Sequence, residues 1–295
     1  MEILNELKDR LLIAIPKKGR LHEKCLTLLD NIDIQFHRKP RHDIALAKNL
    51  PVAILFLPAA DIAKYVAKGN VSLGITGQDI IAESEVEEKI NVELKLGFGR
   101  CKLQLQVPIK EKEIIEPAHV AGKRIVTSFP NLSKAYFNSL NSQVDTKVEF
   151  VSGSVEVACT LGLAEGIVDL VESGETMKAA GLHAIGTIME SEAVLLSNPK
   201  SPFQPLIRKL KDRIEGSLLA KKYVVCTYNI LRTNLEKAKK ITPGRLAPSV
   251  SPLEDLEWVA VSSMVLKQNV AEVMDMLKEV GASDIMVTMI ANCRA

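Results

Sequence analysis

Short apolar runs, each followed by a loop of small or charged residues and then a helical stretch, recur along most of the chain. Leu11 to Pro16, Val52 to Leu57, Val71 to Ile75, Arg124 to Phe129, Ile167 to Val171 and Ala193 to Leu196 read as strands. Several lack the polar alternation of a half-exposed strand, as parallel strands do when both faces are covered. Arg41 to Ala47 and Lys147 to Val151 read as further strands. The pattern predicts helices over Leu21 to Leu29, over Ile62 to Lys68 behind Pro58 and Asp61, and from near Ile80. Others are predicted over Lys134 to Leu140 with Asn131 or Ser133 as cap, from the Ser152 turn through Leu163, and over Leu206 to Leu219. Strands alternating with helices define the α/β class.

From Lys222 onward the pattern changes. Tyr223 to Ile230, Pro248 to Val250, Trp258 to Leu266 and Asp284 to Ile290 read as strands, with helices over Leu235 to Ile241 and Val270 to Val280. The order βαββαβ is the ferredoxin-like split arrangement, and Thr242-Pro243-Gly244 and Gly281-Ala282 supply its stops. The final strand is apolar enough to require a partner, which predicts assembly.

Composition narrows the classes. A chain of 295 residues with 47% hydrophobic residues is long enough for two or three domains with real cores. The net charge of +2 lacks the one-sided basic excess of nucleic-acid binding, so anion binding has to be local. The amphipathic first ten residues are charged throughout, and no run has the length and flanks of a signal peptide or a membrane span. The expectation is a cytoplasmic protein without membrane or nucleic-acid partners. Cys25, Cys101, Cys159, Cys226 and Cys293 are odd in number and scattered, as are the five histidines. Neither a zinc site nor a Ser-His-Asp arrangement follows from their spacing, and no resident metal is expected.

Three strand-to-helix turns carry candidate chemistry. In Gly166 to Met177, Asp169 interrupts an apolar strand where open α/β sheets place ligand contacts, and it could accept hydrogen bonds from sugar hydroxyls. Ser173, Gly174 and Thr176 could converge on an anion at the following helix, which Gly181 ends. The same residues would also suit an ordinary capped turn. Lys17-Lys18-Gly19-Arg20 places three cations at a helix start, unfavourable for the helix dipole unless something negative binds, or a charged loop in solvent. In Thr76-Gly77-Gln78-Asp79, the last residue suits an N-cap. Phe129 ends a strand where an aromatic covers the core or stacks on a base, and Glu156 lies near the turn that opens at Ser152.

Taken together, Ile15 to Arg20, Gly74 to Asp79, Ile125 to Leu132, Gly153 to Glu156 and Asp169 to Met177 resemble ATP phosphoribosyltransferase over essentially the whole chain. Thr242 to Arg245 and Trp258 to Val261 extend the resemblance to the long, fungal-like form of this first enzyme of histidine biosynthesis. The resemblance implies a two-lobed α/β core like that of a periplasmic binding protein, with a C-terminal ferredoxin-like domain of the ACT type. Lobe one would span residues 1–100 and 194–216, lobe two 101–193, and the regulatory domain 217–295. The implied reaction joins N1 of ATP to C1 of phosphoribosyl pyrophosphate and releases pyrophosphate, with Mg2+ carried by the substrates. By the same resemblance Asp169 would hold the ribose hydroxyls, Ser173, Gly174, Glu175 and Thr176 would bind the 5-phosphate, and Glu172 would be a further substrate-binding residue. The Glu175 carboxylate would repel that phosphate unless it points outward. Lys17, Lys18, Gly19 and Arg20 would meet phosphates, Gly77, Asp79 and Phe129 would lie around the nucleotide, and Glu156 would face the cleft. Histidine would inhibit through Asn229, Arg245, Ala247, Ser249, Met264 and Asp284, and the chain would form a homo-oligomer, from dimer to hexamer. A solute-binding protein or a non-catalytic amino-acid sensor would use the same architecture. Missing export signals argue against the first and the intact basic and Asp169 loops against the second.

Overall fold

The apolar runs pair into three sheets in a computed structural model that describes residues 6–39, 41–111, 113–141 and 143–294. The first half of the amphipathic start, residues 1–5, lies outside these. The first sheet contains β1 (Leu11–Pro16), β2 (Ile44–Leu46), β3 (Val52–Leu57), β4 (Leu73–Gly77) and β5 (Asn91–Lys95), and the later strand Ala193–Ser197 joins it. β1 runs parallel to both β3 and β4, and its residues are buried except at Leu12. Coverage on both faces explains why these segments read as apolar without alternation.

The second sheet contains β6 (Cys101–Pro108), β7 (Arg124–Thr127), β8 (Lys147–Phe150), β9 (Gly166–Val171) and β10 (Leu182–Ser191), in the order β10-β6-β9-β7-β8. β9 is parallel to β7 on one side and antiparallel to β6 on the other. From Ser191 the chain passes almost directly into β11 (Ala193–Ser197), which pairs antiparallel with β4 and β5. Two crossings, β5 to β6 and β10 to β11, therefore join the lobes. Ile80, in the helix Gln78–Ser84, packs against the cores of both sheets.

Three strands that organise this junction escape the reading of apolar runs. β6 alternates Lys102, Gln104 and Gln106 with Leu103, Leu105 and Val107, a period-two pattern rather than a run. β10 is broken by irregularities between Ala184 and Gly186 and between Thr187 and Met189, so it keeps no period. β5 sits at the edge of the first sheet with Asn91, Val92 and Lys95 exposed. Other expectations shift. Thr76 and Gly77 belong to β4 rather than to a loop, and the helix begins at once at Gln78. The helix expected to reach Leu163 is confined to Val157–Thr160. The helix predicted from Lys134 starts at Pro130 and gains no cap from Asn131 or Ser133. Its first N-H groups are instead taken by Glu83, whose carboxylate accepts from Asn131 N (2.9 Å) and Leu132 N (3.0 Å).

The chain divides into compact units at residues 1–207 and 208–295. The second unit has the βαββαβ order: β12 (Tyr223–Leu231), the helix Leu235–Ile241, β13 (Ser249–Pro252), β14 (Trp258–Leu266), the helix Val270–Glu279 and β15 (Ser283–Met289). Its sheet order, β13-β14-β12-β15, is the ferredoxin-like one. β12 and β14 alternate strictly, burying Val224, Cys226, Tyr228 and Ile230 with Val259, Val261 and Val265 around Ala238 and Leu277 of the helices. Gly281, at φ +89°, ends the second helix as a left-handed residue. β15 is an edge strand, and its Met286 and Met289 are exposed.

Candidate active site

At the carboxyl end of β9 the apolar strand gives way to a turn that only glycine makes without strain. Gly174 takes φ +81° at the N-cap position of the short helix Glu175–Ala179. The turn closes a cavity of about 230 Å³, lined by Arg20, Gln106, Glu156, Asp169, Glu172, Ser173, Gly174, Thr176 and neighbouring apolar residues. Sequence reasoning singled out all of the polar and glycine positions here except Gln106. That side chain is buried on β6 and donates to the Asp169 carbonyl (3.4 Å). Glu175 is exposed and does not line the cavity, so its carboxylate is no obstacle to an anion inside.

Asp169 accepts a hydrogen bond from its neighbour's Leu170 N-H (2.8 Å). Burial pushes its carboxyl above the usual range, the Leu170 N-H draws it back, and the Glu156 carboxylate adds to the upward shift. Asp169, Glu156 and Glu172 thus line the same cavity as Arg20 and the Ser173, Gly174 and Thr176 loop.

The basic loop does not form one cluster. Lys17 turns away to Asp43, at 2.8 and 2.9 Å from its two carboxylate oxygens. Lys18 is exposed, and neither lysine lines the cavity. Arg20 does: its Nη1 donates to the Gly99 carbonyl and to Glu172 (3.3 Å), and its Nη2 lies 3.8 Å from Asp79. The negative charge that this loop requires is supplied in part by the chain's own carboxylates. Gly19 takes φ +90° and accepts from the His22 N-H at the helix start.

Two residues expected around the nucleotide are buried in the structure. Asp79 is 1% exposed and caps nothing; its Oδ1 accepts from Ser191 Oγ (2.5 Å), which in turn accepts from the Asp79 N-H (3.1 Å). A Cβ on Gly77 would collide with that carboxylate, so glycine is required for Asp79 to fold back. Phe129 packs in the core of the second sheet, 5% exposed. A second cavity, of about 450 Å³, shares Val171 and Glu172 with the first. It is bounded by the ion pairs Lys95 to Glu192 (3.5 Å) and Lys102 to Glu190 (3.0 Å).

In the second unit the expected effector residues fall on the helix-free face of the sheet and its border. Asn229 donates to Asp284 (3.0 Å), and Ser249 lies opposite Ser262 on β14. Met264 lies opposite Val225, four residues along β12 from Asn229, which is about 13 Å. Arg245 and Ala247 precede β13, where the Ala247 backbone crowds Gly244. These residues form two groups rather than one.

A two-lobed α/β core has a cavity between its lobes that pairs the half-buried Asp169 carboxylate with a hydroxyl-bearing, glycine-containing loop at a helix start. The chain belongs to the ATP phosphoribosyltransferase family, matching that family's model over residues 58–216 and its C-terminal domain over 220–292. It is a transferase of histidine biosynthesis, acting at the first step. It is 53% identical to the ATP phosphoribosyltransferase of Yarrowia lipolytica and 50% identical to that of Saccharomyces cerevisiae, each over 100% of both chains. Among solved structures, the ATP phosphoribosyl transferase (HisG:HisZ) complex from Thermotoga maritima is similar with a TM-score of 0.59. That likeness has 27% identity and covers 70% of this chain and 98% of that one.

Proposed function

We propose that the cavity at the end of β9 holds phosphoribosyl pyrophosphate while N1 of ATP displaces its pyrophosphate, giving phosphoribosyl-ATP. The observation that carries this reading is the convergence of Asp169, Ser173, Gly174, Thr176 and Arg20 on one small cavity. Asp169 accepts from the ribose hydroxyls, and Ser173, Gly174 and Thr176 hold the 5-phosphate through hydroxyls and backbone N-H groups. The adenine N1 lone pair forms the new bond to C1 as the C1-O bond breaks and its electron pair leaves on pyrophosphate. Such a ribosyl centre is cation-like, so alignment and stabilisation of the departing charge dominate. Arg20 supplies positive charge at the cavity, with Lys17 and Lys18 recruited from the same loop. No general base is needed, because N1 carries no proton to lose.

Mg2+ enters on the substrates' phosphate oxygens; among the described residues no group of three or more His, Cys, Asp or Glu is placed to hold it. Histidine inhibits from the second unit, and pairing along β15 assembles a homo-oligomer in the cytoplasm. The deciding experiment measures pyrophosphate and phosphoribosyl-ATP from ATP, phosphoribosyl pyrophosphate and Mg2+, wild type against Asp169→Asn. Product from wild type and its loss in the variant are expected. Equal turnover by both would remove Asp169 from the site.

A further inference from the structure

Arg20 is the one expected phosphate ligand in this loop that reaches the cavity, and what aims it is a buried construction that the proposed reaction does not itself explain. The Asp79 carboxylate is sealed from solvent, and it lines neither of these two cavities. Its contacts are Ser191 Oγ on one oxygen and the Arg20 guanidinium, 3.8 Å away, on the other. Ser191 is also buried, and it ends β10, one residue before the chain crosses back to the first lobe. The hydroxyl accepts from the Asp79 N-H, which fixes its place, and donates to Asp79 Oδ1, so rotation of the carboxylate would break the latter bond. Gly77 leaves room for this pose and for no other residue's Cβ. On its far side Arg20 bonds to Glu172, whose side chain is 45% exposed and lines the cavity.

These two carboxylates are not equivalent. An exposed partner is easily exchanged, whereas a buried carboxylate that loses the cation paired with it among the described residues is left uncompensated. The geometry points to Asp79 and Ser191 as a positioning pair: they hold Arg20 permanently from behind, while Glu172 occupies its front until a pyrophosphate replaces it. Asp79 then contacts no substrate, and Ser191 acts on the reaction two links away. This inference rests on the proposed reading of Arg20 as a ligand of the departing pyrophosphate.

The test is a double-mutant cycle on the full chain with kcat and KM measured for both substrates, using Arg20→Ala, Ser191→Ala and the double variant. Arg20→Ala alone examines the underlying reading: wild-type kinetics in that variant would overturn the role of Arg20 itself. With that role upheld, Ser191→Ala is expected to lower kcat tenfold or more with the KM for ATP nearly unchanged. Ser191→Thr, which keeps the hydroxyl, is expected to restore most of the loss. In the Arg20→Ala background the further loss from Ser191→Ala is expected to be less than twofold. An equal loss in both backgrounds would show that Ser191 acts independently of Arg20 and would overturn the pair. Asp79→Asn, isosteric and run through the same cycle, carries the same expectation if Ser191→Ala folds poorly.

Discussion

At the scale of single residues, Asp169 carries opposed demands. Burial holds its carboxyl above the usual range, so its ionised form is disfavoured in the fold and costs stability at neutral pH. For a carboxyl raised in this way, stability is gained as pH falls through the folded value and lost as pH rises past it. Asp169→Asn keeps an acceptor for the Leu170 N-H and removes the charge. The variant should therefore melt at a higher temperature than wild type while binding phosphoribosyl pyrophosphate ten- to a hundredfold more weakly. The latter follows from the roughly 1.5–3 kcal/mol typical of a hydrogen bond to a charged group. Calorimetric melting beside substrate titration checks both, and a variant that melts lower would contradict the burial argument. Gly77→Ala should displace the Asp79 carboxylate and lower turnover without touching substrate, measurable as a fall in kcat. Asp169, Ser173, Gly174 and Thr176 were legible in the sequence because they lie in one contiguous turn. Gln106 and Ser191 were not, since their roles arise from partners 63 and 112 positions away.

At the scale of elements, the strands read from apolar runs were the covered ones, and those missed were edge, alternating or bulged. A covered strand advertises burial on both faces, whereas β6 looks half polar although Gln106 is buried, and β10 loses its period at two irregularities. The helix Pro130–Leu140 makes the same point about termini: its N-terminal cap comes from Glu83, 48 positions away, rather than from Asn131 or Ser133. A carboxylate suits that end of the helix dipole and satisfies two otherwise orphaned N-H groups. Glu83→Ala should lower stability by about 1 kcal/mol, the typical worth of a cap, in denaturant unfolding. The start of β7 is tied differently. Arg124 donates to Glu165 through its guanidinium and backbone N-H, and that pairing holds the Glu165 carboxyl down at about 2 against an ordinary 4.5. A carboxyl lowered in this way contributes stability above its unfolded value, and the contribution fades as pH falls from 4.5 towards 2. The pair is partly exposed, so the effect is modest. Comparison of wild type with Glu165→Gln should give unfolding midpoints that differ near neutrality and converge in that acid range.

At the scale of the whole molecule, the second unit separates its expected effector residues into two groups. The Asn229 and Asp284 pair sits about 13 Å along the sheet from Met264, too far for one amino acid to bridge within a chain. If a histidine site were to use both groups, it would draw them from two chains, and regulation would then depend on assembly. β15 offers the means, since among the described residues it ends its sheet, and its Met286 and Met289 are exposed. Charging that edge with Met286→Lys and Met289→Lys should lower the mass in solution and weaken histidine inhibition together. Lost assembly with intact inhibition would place the effector site within one chain. The sharper substitution is Asp284→Asn. Asp284 takes φ +51°, a left-handed conformation that asparagine also tolerates, so the backbone should persist while the charge is removed. If Asp284 receives the histidine ammonium, histidine should bind ten- to a hundredfold more weakly, with kcat in its absence unchanged. Because coupling between sites is reciprocal, the same variant should also abolish any effect of bound substrate on histidine affinity. Calorimetric titration of histidine with and without phosphoribosyl pyrophosphate measures both quantities. An unaltered histidine affinity would move the effector site away from the β12 and β15 pair.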